Sequence, residues 1–198
     1  MVDLGGVSGP AAEQDPRIER SRRVILEAVL DELGEVGYGA LTIGGVAARA
    51  GVGKATIYRH WTGKLDLVED AFRTLKVSVV VPEQGSLRDR VVAILEQVAG
   101  FVQESTYSAC MPALIDAAER DPKVREFHSR FSGERRAVLI GVLRDAVDAG
   151  ELPPGTDPEI LADALVGPII LRRLMLAQPV EPAIATTLVD QLLPVPGD

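Results

Sequence analysis

Leu41-Thr42-Ile43-Gly44-Gly45-Val46-Ala47-Ala48-Arg49-Ala50-Gly51-Val52-Gly53-Lys54-Ala55-Thr56-Ile57-Tyr58-Arg59-His60-Trp61 is the stretch that decides the fold. Two short runs with helical periodicity meet at a glycine-bearing turn, the pattern of a helix-turn-helix. Thr42 suits the N-cap of the first run. Ile43, Val46, Ala47 and Ala50 share one face of it. Ala47 and Ala50 are small enough to let two helices cross closely. Gly51 supplies a turn conformation that a residue with a Cβ resists. The second helix is expected over Lys54 to His60. Val46, Val52, Ile57 and Trp61 should pin both helices inward, leaving Lys54, Ala55, Thr56, Tyr58, Arg59 and His60 outside.

Those outward side chains suit double-stranded DNA. Arg59 can donate a bidentate pair to guanine O6 and N7, and Lys54 can do so less rigidly. Ala55 and the Thr56 methyl can meet a thymine methyl. The Thr56 and Tyr58 hydroxyls and His60 fit phosphate oxygens. Lys64, with the backbone N–H groups that open the next helix, can hold another phosphate, as can Thr42. An ordinary solvated face is the competing reading of Arg59 and Lys54, and the surrounding motif argues against it.

Outward from this core, residues 1–15 read as a flexible tail. A first helix spans about Arg17 to Val36, its stripe Ile18, Ile25, Ala28, Val29, Leu33 and Val36, and Gly37 and Gly39 end it. The helix-turn-helix head covers 16–63. A connecting helix over 64–81 carries Leu65, Val68, Ala71, Phe72 and Leu75, with the run Val77 to Val81 as its frayed end. The body, 85–198, opens on a Ser86/Asp89 capping box. Its helices are expected from Ser86, over about Ser108 to Glu119, from Pro122 to Gly150 (stripe Val124, Phe127, Phe131, Val138, Val142, Ala146), from Asp157-Pro158, and from Glu181-Pro182. The fold class is all-α, with about nine helices and no sheet.

Composition agrees. Of 198 residues 46% are hydrophobic but only 4% aromatic, so the core is built from Leu, Val, Ile and Ala. The net charge of −8 is unevenly spread: residues 16–64 hold eight Lys/Arg against five Asp/Glu. A mildly basic head on an acidic body can approach phosphate while staying soluble. The single cysteine, Cys110, excludes an internal disulfide framework and fits a reducing cytoplasm. No signal peptide and no membrane span is expected. His60 and His128 are too few for a metal site. No catalytic arrangement and no cofactor motif is found.

The head resembles the TetR/AcrR family of regulators. The resemblance is carried by the Leu-Thr-Ile entry, Val46-Ala47, Ala50-Gly51-Val52 and above all Thr56-Ile57-Tyr58-Arg59-His60-Trp61 followed by Gly63-Lys64. It is strong over Arg17 to Phe72 and a match of layout beyond. It implies a homodimer whose last two helices form a four-helix bundle, a small-molecule effector pocket inside the body, and release of an operator when the effector binds. Two departures stand out: Gly53 replaces the usual polar cap of the recognition helix, and Gly44 and Gly45 lie within the first helix of the motif, each costing about 1 kcal/mol relative to Ala.

Phe101, Tyr107, Cys110, Met111, Phe127 and Phe131 are candidate pocket residues, although core packing accounts for them equally well. Cys110 reads more readily as a buried structural thiol than as a sensor. Ile160 to Met175 is apolar on more than one face and contains Pro168, which bends a helix. Burial between the body and a symmetry mate explains it, with Leu161, Leu165, Pro168, Ile169, Leu188 and Leu192 as candidate dimer contacts. The rival function is a helical small-molecule carrier or enzyme without an operator.

Overall fold

The computed structural model describes residues 16–75, 79–103 and 105–193. Its order is α1 (Pro16–Ala40), α2 (Ile43–Ala50), α3 (Lys54–His60), α4 (Lys64–Thr74), α5 (Leu87–Gln103), α6 (Ser105–Arg120), α7 (Pro122–Asp148), α8 (Pro158–Ile170) running into a π-helical turn Leu171–Met175, and α9 (Ile184–Leu192). No strand occurs among the described residues. The expected 1–15 tail lies outside them.

Local rules set most boundaries. The α1 helical path breaks at Gly37, whose φ of 77° is open to glycine. Ser86 and Asp89 form the capping box, each backbone N–H donating to the other's side chain at 3.0 and 3.2 Å. Asp121 and Asp157 cap α7 and α8, each followed by a first-turn proline. Past α7, Gly150 takes a φ of 76°.

Three expectations are corrected. The connecting helix stops at Thr74, with Leu75 as its C-cap, and Val79 to Pro82 lie outside any helix; the first part of the Val77 to Val81 run falls outside the described residues. The α1 stripe is broader and shorter than expected. Leu26 and Leu30 join Ile25, Ala28, Val29 and Leu33 in the core because α1 packs on both α4 and α6, while Ile18 and Val36 are exposed near its ends. Along α7 the buried line passes from Phe131 to Leu139 and Leu143, leaving Val138 and Val142 half-buried.

One carboxylate organises the head. Asp70 of α4 is buried. Its Oδ2 accepts from Trp61 Nε1 at 3.0 Å and from Arg22 Nη2 at 2.7 Å, with Arg73 3.7 Å away. It thus joins α1, the end of α3 and α4. Burial pushes the Asp70 pKa up, but the Arg22 and Trp61 hydrogen bonds and the Arg22 and Arg73 charges outweigh it, holding the carboxyl below its ordinary range.

A depressed folded-state pKa means this stabilisation is present above the unfolded value near ~4 and is lost as pH falls through the folded one. Asp70→Asn is therefore expected to cost about 1–3 kcal/mol in urea unfolding at neutral pH. The gap from the parent should narrow as pH drops below ~4. A gap that stays constant with pH would remove the charge on Asp70 from this account.

Candidate nucleic-acid interface and internal cavity

Thr42 caps α2, its hydroxyl accepting from the Gly45 N–H at 3.0 Å. Gly51 (φ 67°) closes the helix, and Val52 N–H returns to the Ala47 carbonyl at 3.0 Å. Gly53 then caps α3 without a side-chain bond, so Lys54 and Ala55 begin a helix whose first turn is open. Ile57 and Trp61 are buried in the head. Lys54, Ala55, Tyr58, Arg59 and His60 are exposed and Thr56 is half-buried. A seven-residue helix thus buries Ile57 and displays most of its remaining surface, anchored just past its end by Trp61.

The two glycines of α2 lie beneath the ends of two charged side chains. A Cβ on Gly44 would press on Lys54 Cε and Nζ at 3.1 and 3.2 Å, and one on Gly45 would run into the Glu32 carboxylate. Glu32, with Glu35, holds Arg49 and so ties α2 to α1. Lys64 is more committed than its sequence suggests. Its ammonium donates to the Tyr38 carbonyl at 2.8 Å and sits 4.3 Å from the Tyr38 ring centre. Thr42 remains exposed beside α2's first turn.

A cavity of about 580 Å³ lies inside the body, walled by α5, α6, α7 and α8, with Glu69 and Arg73 of α4 at its rim. Phe101, Tyr107, Met111, Phe127 and Phe131 all line it. Cys110 does not: it occupies the opposite side of α6, its thiol 3.2 Å from the Leu30 carbonyl in the seam with α1. That position, off the cavity wall, removes it from the candidate pocket, and burial raises the thiol pKa to about 11. Phe72 of α4 stands edge-on to Phe127 and Phe131, with ring centres 5.7 and 5.3 Å apart.

The principal residue that sequence reasoning missed is Arg135. Its guanidinium lies 4.1 Å from the Phe101 ring centre and 4.2 Å from that of Phe131. Nη2 donates to the Leu75 carbonyl at the end of α4, at 2.9 Å. The signal was present in the spacing, because Phe127, Phe131 and Arg135 follow one another at four-residue intervals.

The candidate dimer contacts need a correction of register. Leu161, Leu165, Ile169 and Leu188 are buried within the chain's own core, because α8 packs on α5 and α7 and α9 packs on α5. Pro168 is half-buried and Leu192 exposed. The outward line of α8 is instead Ile160, Ala164, Gly167 and Leu171, continued by Met175. Among the described residues no helix is long and apolar enough to cross a membrane.

Two family models match, "Bacterial regulatory proteins, tetR family" over residues 25–71 and "Tetracyclin repressor-like, C-terminal domain" over 81–192. The chain is 35% identical over 162 residues to the uncharacterized HTH-type transcriptional regulator YdeS of Bacillus subtilis, covering 81% of each. It is 29% identical to the DNA-binding transcriptional repressor TetR of Mycobacteroides abscessus, over 89% of this chain and 94% of that one. Among solved structures it is similar to a crystallised TetR family transcription regulator (30% identity, TM-score 0.65, covering 87% and 96%) and in fold to Salmonella enterica GusR (22%, TM-score 0.73, 92% and 97%).

Cys110 gives a direct check on the α1–α6 seam. In the folded protein it should react with a thiol reagent at least about a hundredfold more slowly than in denaturing urea. Equal rates would mean that the seam opens freely.

Proposed function

The chain belongs to the TetR family of bacterial transcriptional regulators, and we propose that it is a repressor released from its operator when a small, largely apolar molecule fills the body cavity. It is a DNA-binding regulator and not an enzyme. The observation that carries the ligand-coupled reading is the physical link between the two ends of α4. One end follows directly on the DNA-facing α3, and the other carries Phe72 against two phenylalanines that line the cavity.

In this reading residues 16–63 are the head and the body begins near residue 85. Arg59 and Lys54 read base edges, Ala55 and Thr56 meet thymine methyls, and Tyr58, His60 and Thr42 hold phosphates. Lys64 keeps its bond to Tyr38 and offers its remaining N–H donors to a phosphate. A filled cavity displaces Phe127 and Phe131, which shifts Phe72 and with it α4. Effector and operator then favour different head spacings, and their difference in affinity for the two states is the coupling.

The exposed line Ile160, Ala164, Gly167, Leu171 and Met175 supports a homodimer built on α8 and α9. An uncovered apolar stripe of this kind marks an interface, and its small central residues allow close approach of a second copy. The two-fold axis would set the α3 helices in successive major grooves, about 34–36 Å apart.

Selection from random duplexes is expected to recover a two-fold-symmetric site. Arg59→Ala should weaken binding to it by about 1–3 kcal/mol and relax preference at one position per half-site. Folded protein with no salt-dependent, sequence-selective binding would favour a carrier. Separately, Leu171→Glu should convert the dimer to monomer in sedimentation velocity. A variant that stays dimeric would move the interface elsewhere.

A further inference from the structure

The cavity carries an electrostatic asymmetry that its apolar walls make costly. Four arginines line it: Arg73, Arg130, Arg135 and Arg136. Three of them are matched. Arg73 meets Glu69 and Asp70, Arg130 meets Glu69 and Glu126, and Arg136 meets Asp163 at 2.7 Å. Arg135 has no carboxylate within 4.0 Å among the described residues. It is half-buried, stacked on Phe101 and Phe131, and satisfied by one neutral acceptor, the Leu75 carbonyl. Burial works against its charge, with Tyr107 and Glu134 opposing that effect. A guanidinium on aromatic faces keeps part of its stabilisation through cation–π attraction, but an unpaired charge facing an apolar space favours an anionic partner.

We propose that the effector is an amphipathic carboxylate, its apolar body against Met111, Phe127 and Phe131 and its head group on Arg135, which it draws away from the Leu75 carbonyl.

The chemistry discriminates between ligand classes. The walls reward any apolar body of suitable size, and about 580 Å³ is ample for a drug-sized molecule. A neutral ligand leaves Arg135 without a counter-charge, and a cationic one is repelled. A carboxylate matches the planar guanidinium fork with two parallel hydrogen bonds. Leu75 offers one neutral acceptor, whereas a carboxylate adds an opposite charge and a bidentate geometry, so the head group outcompetes Leu75 for the guanidinium. The same event that recognises the ligand therefore unties the C-terminal end of α4 from α7. Arg130 to Glu69, at 3.1 Å, remains as the tie between α7 and α4 about which α4 moves.

This inference rests on the effector reading of the cavity, and its test separates the two. Calorimetric titration of the full chain compares matched pairs, decanoate with decan-1-ol and 4-phenylbutanoate with 4-phenylbutan-1-ol, at about pH 7.5 where the acids are ionised. At least one acid should bind about tenfold or more tighter than its alcohol and should weaken binding to the selected operator. Arg135→Gln should abolish that preference while leaving the alcohol's affinity in place, which also shows that the cavity is intact. Arg135→Lys, which keeps the charge but loses the fork, should fall between the two. Equal affinity for acid and alcohol, an acid preference that survives in Arg135→Gln, or failure of both acids to bind would overturn the proposal. Operator binding measured without ligand on the same preparation reports on the regulator reading alone.

Discussion

The head stands on a single buried carboxylate. A helix of seven residues cannot hold itself in water, since nucleation costs more than so few hydrogen bonds return. The anchors of α3, Ile57 and Trp61, therefore have to be fixed from outside. Asp70 does this by taking the indole N–H of Trp61 and the guanidinium of Arg22 on one oxygen. It spares the Trp61 N–H from burial without a partner, and it fastens the end of α3 to the first helix of the chain and to α4 together. The exposed face of α3 is rigid to the extent that this junction is.

The same helix that carries Asp70 also reaches the cavity. All four phenylalanines of the chain, Phe72, Phe101, Phe127 and Phe131, cluster there, although aromatic residues are scarce overall. Phe72 meets Phe127 and Phe131 edge to face, a geometry that aromatic pairs favour, so a shift of either ring bears directly on α4. α4 therefore lies between a stiff polar junction at Asp70 and an aromatic joint beginning two residues later.

The head was legible because each of its positions obeys a short-range rule. Glycine at a left-handed turn, a threonine cap and apolar residues at helical spacing fix Lys54 to His60 without reference to the rest of the chain. The body was legible as a set of helices, because the Ser86/Asp89 box and the Asp121-Pro122 and Asp157-Pro158 pairs act locally, but which face of α8 turns inward was not. That helix is apolar nearly all round, and only its packing against α5 and α7 decides that Leu165 is core and Gly167 surface. Cys110 was misplaced for a related reason. Both sides of α6 are buried, one in the seam with α1 and one on the cavity, and composition does not distinguish them. Asp70 and Arg135 escaped because charged residues on amphipathic helices ordinarily face water. Arg22 lies 48 positions from Asp70, and Leu75 lies 60 from Arg135. The ends of the Lys54 and Glu32 side chains lie over the two glycines of α2, a placement that helix propensity does not show.

Trp61 is the only tryptophan in the chain, and its indole nitrogen is bonded to Asp70 at the foot of α3. The molecule thus holds an intrinsic fluorophore at the joint between the exposed face of α3 and the helix leading inward, itself outside the residues that wall the cavity. A neutral, non-absorbing compound lodged in that interior does not touch the indole, so any shift in its emission must be relayed through the protein. Domain coupling in this chain is therefore open to optical observation without an attached label.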